Sequence, residues 1–126
     1  MLNNKGATGN VWYDTWLYDP ATHRYKFNKA YSEISALDVA DGRKNQLKSY
    51  YGAGVCEAFV RYYVPNGFKA PIAIEEVFLE PQGVGDSNVC WKVTEKKIKG
   101  NWVEISRTKH HGWLYRTEYE KSQKSY

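Results

Sequence analysis

The chain has 126 residues with 42% hydrophobic and 25% charged composition, which fits one folded domain with its own core and excludes both a disordered polymer and two domains of ordinary size. Eighteen Lys and Arg against 14 Asp and Glu give a net charge of +4, an attraction toward anions that falls short of a polycation. The chain also carries 5 Trp, 11 Tyr and 4 Phe, side chains that fill a core or build a contact surface with equal ease.

Taken in order, 1–10 is polar and reads as a mobile lead-in. Val11 to Tyr18 is rich in aromatic and β-branched residues, as a strand is. Asp19-Pro20-Ala21-Thr22 is a turn, because Asp bonds its own backbone and Pro presets the second turn position. His23, Tyr25 and Phe27 then alternate with Arg24, Lys26 and Asn28, completing a hairpin. Ile34, Leu37 and Ala40 lie three apart and Gly42 ends the run, so Ser32 to Gly42 is expected to be a short helix. In Arg43 to Val64, Leu47, Tyr51, Val55, Ala58, Phe59 and Tyr62 make a helical stripe broken at Gly52-Ala53-Gly54, and Val55 to Val64 is expected to be a second helix, with a strand as the alternative. Lys69 to Leu79 is a strand with an irregularity near Glu75-Glu76.

The clearest pattern lies in Asn88 to Glu120. Side chains alternate through Val89 to Thr94, turn at Lys99-Gly100-Asn101, alternate through Val103 to Ser106, turn again at His110-His111-Gly112, and alternate from Trp113 to Tyr119. The tail 121–126 is polar and frays. The expected class is α+β: an N-terminal hairpin, one or two helices, then a curved antiparallel meander of three to four strands in a single domain spanning 1–126.

This closing half, with Gly112-Trp113 near its end, resembles the cone-shaped nuclear-transport-factor-2-like fold over Ile72 to Tyr119; that resemblance implies an aromatic cavity lined by Trp91, Trp113 and Tyr115. Trp102-Val103-Glu104-Ile105 with Gly112-Trp113-Leu114 and Tyr119 is similar to bacterial SH3-type cell-wall-binding domains. The two imply different folds over the same residues, so neither identifies the chain.

Bases and aromatics are interleaved throughout, as at Arg24-Tyr25-Lys26, Trp91-Lys92 and Tyr115-Arg116. Single-stranded nucleic acid is held by such a combination, a basic track for phosphates and rings for stacking. The leading expectation is therefore non-catalytic binding of nucleic acid, single-stranded in preference, or of another anionic partner. Arg24, Lys26, Lys92, Lys96 and Arg116 would meet phosphates, and Trp12, Tyr25 and Tyr50 would offer stacking faces. The alternatives are a small ligand in an aromatic pocket and a protein–protein or inhibitor module, since exposed aromatics and Arg also make interface hot spots.

Catalysis is not the expectation. Gly54 to Arg61 resembles the nucleophile helix of small papain-like amidases, which would make Cys56 the nucleophile, but the strand histidine of that family has no counterpart in Asn88 to Thr94. No Cys-x-x-Cys spacing, dinucleotide fingerprint or Ser-His-Asp arrangement is present, so no metal or cofactor is expected. Two distant cysteines, no apolar leader and no bilayer-length run point to free thiols, a cytoplasmic setting and no membrane insertion.

Overall fold

The computed structural model describes residues 2–5, 10–54, 56–82 and 89–111. The third meander strand from Trp113, the tail and Arg116 lie outside these residues. The architecture is antiparallel β almost throughout. Strands β1 (Leu2–Lys5) and β2 (Val11–Tyr13) pair with each other, as do β3 (Trp16–Asp19) and β4 (Arg24–Phe27). The helix α1 (Lys29–Ser32) follows, and β5 (Asp38–Val39), β6 (Leu47–Gly54), β7 (Glu57–Asn66), β8 (Lys69–Pro81), β9 (Val89–Ile98) and β10 (Asn101–His111) form one six-stranded sheet in the order β10-β9-β8-β7-β6-β5.

The hairpin forms where the Asp-Pro turn places it. Asp19 accepts from the Ala21 N–H at 3.0 Å and the Thr22 hydroxyl at 3.1 Å, the local bonding that makes Asp a turn former. The single strand expected over Val11 to Tyr18 is interrupted at Asp14-Thr15, where the Thr15 N–H donates to Ser32 Oγ and its carbonyl accepts from Asn28 N–H. The lead-in is not without structure either, since Leu2–Lys5 is β1.

Helix is where the sequence misleads. Among the described residues only the four of α1 are α-helical, started by Asn28, whose side chain accepts from the Tyr31 N–H. The run expected as a helix over Ser32 to Gly42 instead turns at Ala36, with φ of 47°, and its Ser35 bridges to Trp12. Of the second expected helix, Val55 to Val64, the residues from Glu57 on are strand β7, with Tyr62 opposite Lys48 and Val60 opposite Tyr50, and Val55 lies outside the described residues. Branched and aromatic side chains fit a pleated surface, and pairing on both sides of β7 outweighs a stripe that satisfied helical spacing as well. The irregularity near Glu75 is a bulge: Tyr62 faces Glu75 and Tyr63 faces Ala73, leaving Ile74 over.

The core lies on one face of this sheet, around Ala58, Val60, Tyr62, Val77 and Leu79. Lys48 is fully buried beside it; burial lowers its pKa, and Asp41 and Asp38 pull it back up. The expected free thiols are absent. Cys56 and Cys90 form a disulfide, which ties the β6–β7 turn to the start of β9 across the end of β8, where Pro81 faces Cys90. Their separation of 34 residues in sequence hid a proximity that only the sheet order creates.

The β9–β10 turn is as expected. Lys99 and Gly100 both have positive φ, 53° and 82°, the pair of left-handed residues that matches a tight hairpin to strand twist. His110 and His111, expected in a turn, instead continue β10 opposite Cys90 and Val89.

Candidate functional site

Four aromatic residues of the β3–β4 hairpin stand on one face and in the open. Trp16 faces Phe27 and Tyr18 faces Tyr25 in the register, and because side chains alternate along a strand, all four share a side of the ribbon. They are 54%, 50%, 48% and 69% exposed respectively. The Trp16 and Phe27 rings meet edge to face at 5.7 Å and those of Tyr18 and Tyr25 at 5.3 Å, so the patch is held in shape by cross-strand contacts before anything binds it.

The opposite side of the ribbon carries Leu17 with Asp19, Arg24 and Lys26 and is tied down. Lys26 Nζ lies 2.9 Å from Asp19, and this bond, with the Ala21 and Thr22 donors, lowers the Asp19 pKa. Beneath the hairpin runs a groove of about 670 Å³ lined chiefly by apolar side chains, among them Leu17, Tyr31, Leu47 and Phe68, with Tyr18 in its wall. The groove is anchored at its base: the Asn28 amide donates to the Phe68 carbonyl, and the Tyr31 hydroxyl donates to the Gly67 carbonyl and accepts from the Asn66 N–H.

A second polar-aromatic region covers the sheet face away from the core. Arg61 bonds Glu76 at 2.9 Å with its guanidinium over the Phe59 ring, and Tyr51 stacks on Phe59. Arg107 bridges Glu80 at 2.7 Å and Glu104 at 2.8 Å, contacts that hold it charged and pull the Glu104 pKa down.

The residues expected to form one basic, stacking surface are dispersed by this arrangement. Arg24 and Lys26 fall on the ribbon side opposite Tyr25. Tyr50 packs against the core. Trp12 lines a separate recess of about 300 Å³ with Ser49, Tyr51 and Arg61. Lys92 and Lys96 lie on β9, Lys96 within 3.7 Å of Glu75. Of the aromatic cavity residues, Trp91 is on β9 beneath Arg107, and Trp113 and Tyr115 lie outside the described residues. Cys56, being in the disulfide, has no thiolate to offer as a nucleophile. Among the described residues, no group of three or more His, Cys, Asp and Glu is placed to hold a metal ion, and no helix is long and apolar enough to cross a membrane.

Trp16, Tyr18 and Phe27 were readable as hairpin residues but not as a surface. The missing step was register: once the Asp-Pro turn is fixed, counting outward pairs Tyr18 with Tyr25 and Trp16 with Phe27.

No protein-family model and no curated protein matches the chain. A solved structure, "Structure of a Xanthomonas Type IV Secretion System related protein", is similar with a TM-score of 0.60 over 81% of this chain at 23% identity. At that identity the likeness is one of fold. The chain spans about half of that protein, 48% of its length.

Proposed function

We propose that the chain is a non-catalytic binding module that docks a protein partner on the aromatic face of the β3–β4 hairpin. The observation that carries this reading is the set of four exposed, mutually packed rings, Trp16, Phe27, Tyr18 and Tyr25. Contiguous exposed aromatic patches mark interaction sites, and rigid Trp and Tyr anchors supply most of the affinity in protein interfaces. The groove sharing Tyr18 gives a partner side chain a place to seat.

A protein is favoured over a polynucleotide because the bases nearest the rings face the other way and are partly neutralised. Arg24 and Lys26 lie on the opposite side of the ribbon and Lys26 is held by Asp19, whereas phosphate binding needs cations and stacking rings on one track.

The Cys56–Cys90 disulfide supports an oxidising compartment in place of the cytoplasm, because structural disulfides persist where thiols are not kept reduced. The neighbour of similar fold is described as related to a secretion system, which agrees with a working place in the cell envelope or beyond it.

The test is a photo-crosslinking amino acid at Tyr25, with Lys44 as the control site, in the native host. A discrete protein adduct at Tyr25 and not at Lys44, whose reconstituted complex weakens at least tenfold on Tyr25→Ala, is the expected result. Salt-dependent binding to polynucleotides that Tyr25→Ala abolishes would replace the protein partner with nucleic acid.

A further inference from the structure

A different surface lies at the tip of the β9–β10 hairpin, away from the aromatic ribbon. Pairing between β8 and β9 ends at the Glu75–Lys96 rung, while β9 and β10 continue to their own turn at Lys99 and Gly100. The hairpin thus runs on as a two-stranded finger beyond its neighbour. Every residue from Lys96 to Val103 is exposed.

Its composition is unlike the rest of the sheet. The stretch Lys96-Lys97-Ile98-Lys99-Gly100-Asn101-Trp102-Val103 has three lysines and no acid, in a chain whose net charge is +4. Lys97 Nζ lies 5.5 Å from the centre of the Trp102 ring, its cross-strand partner. Ile98 and Val103 occupy the other face together with Lys96, by the same alternation. The finger is apolar on both sides near its end and positively charged around it. The first acids back along the strands, Glu95 and Glu104, face each other below it, and Glu104 is held by Arg107.

We propose that this finger adsorbs to an anionic lipid surface, with Ile98, Trp102 and Val103 entering the headgroup region end-on and Lys97 and Lys99 meeting lipid phosphates, while Lys96 stays with Glu75 at the base of the finger. Charge complementarity is one argument, each lysine near an anionic membrane being worth about 1 kcal/mol, or about fivefold in affinity. The apolar side chains are the other. Trp prefers the membrane interface and Lys stems lie along apolar surface while their ammonium groups stay in water. Ile98 and Val103 have no π face for a nucleobase, so a polynucleotide would leave them in solvent. This adsorption is independent of the aromatic hairpin and leaves that face free.

The test is co-sedimentation of the oxidised full chain with vesicles of phosphatidylcholine alone and of phosphatidylcholine with 30% phosphatidylglycerol (about 100 mM salt). Two variants accompany it, Lys97→Glu/Lys99→Glu and Ile98→Ser; both change exposed residues, and an unchanged thermal midpoint shows that they fold. Partitioning onto the anionic vesicles only, falling by about 25-fold or more in the charge-reversed variant and severalfold in Ile98→Ser, is the expected result. No partitioning, or partitioning that either variant leaves intact, overturns the proposal. Equal binding to a soluble polyanion such as heparin, unaffected by Ile98→Ser, also overturns it and leaves an unspecialised cation patch.

Discussion

The Asn10 carboxamide grips the Gly52 peptide from both directions: its Nδ2 donates to the Gly52 carbonyl at 2.6 Å and its Oδ1 accepts from the Gly52 N–H at 2.9 Å. Asn10 is buried and lies 42 residues from its partner, so this one side chain bonds both the N–H and the C=O of a residue on β6. An added Cβ at Gly52 would stand 2.5 Å from the Tyr50 hydroxyl, so the Tyr50 ring would have to shift to admit one.

Asn10→Ala should therefore cost about 2–4 kcal/mol, because it strands a buried donor and a buried acceptor together. Asn10→Asp keeps the acceptor but sets a carboxylate against the Gly52 carbonyl. Its stability deficit should be larger near neutral pH and shrink on acidification, when the protonated acid can donate. Urea unfolding of the three proteins at pH 7 and pH 4 checks both statements; equal stability of Asn10→Ala and the parent would show that the clamp carries no load.

Reduction should weaken the fold. Closing a loop across 34 residues removes denatured-state entropy worth roughly 3–4 kcal/mol, and a chain of this size loses roughly 10–15 °C of thermal midpoint for that amount. Cys56→Ser/Cys90→Ser should match the reduced parent and be indifferent to reductant. A parent whose midpoint does not move with reductant would mean that the crosslink is absent in solution.

Truncating the most exposed ring should separate binding from folding. Tyr25→Ala removes one cross-strand aromatic contact, worth about 0.5–1 kcal/mol of stability, while a hot-spot position costs about 2 kcal/mol or more of binding, roughly 30-fold. Scanning calorimetry beside titration of the crosslinked partner measures the two effects, and a comparable loss in each would demote Tyr25 to a structural residue.

Acid should loosen the hairpin through Asp19. Its carboxyl is held below the ordinary aspartate range by Lys26 first, and by the Ala21 and Thr22 donors against partial burial. A carboxyl with a depressed folded value stabilises the fold above its unfolded value, about 3.9, and loses that contribution as pH falls through the folded one. The stability gap between the parent and Asp19→Asn should thus be flat from pH 7 to about 5 and close below about 4. A gap that stays constant down to pH 2 would detach it from ionisation.

The strands bounded by turn chemistry were legible in the residues themselves: β3–β4 from Asp19-Pro20, β9–β10 from Lys99-Gly100, β8 from its branched alternation. What was not legible was everything set by partners far away in sequence. Tyr51, Ala58 and Tyr62 satisfy helical spacing and sheet spacing alike, and only the neighbours on either side of β7 decide between them. Cys56 meets Cys90 because β8 ends at Pro81, a fact of sheet order. Among the site residues, identity could be read but facing could not: Tyr25 sits between Arg24 and Lys26 in the chain, and the pleat sends it to the other side of the ribbon.

The six-stranded sheet has unequal borders. One is β5, two residues long, and the other is β10, eleven residues long and exposed from Asn101 to Lys109. Among the described residues, no strand pairs with the outer side of β10, while on the other border β5 pairs with Leu47 and Lys48 of β6. Among the described residues, two copies joined back to back along β10 would use up that edge in both, which closes the addition at a pair. Sedimentation across a rising concentration series should show at most a dimer attributable to this sheet, and longer species that a Val103→Pro change removes would contradict that ceiling.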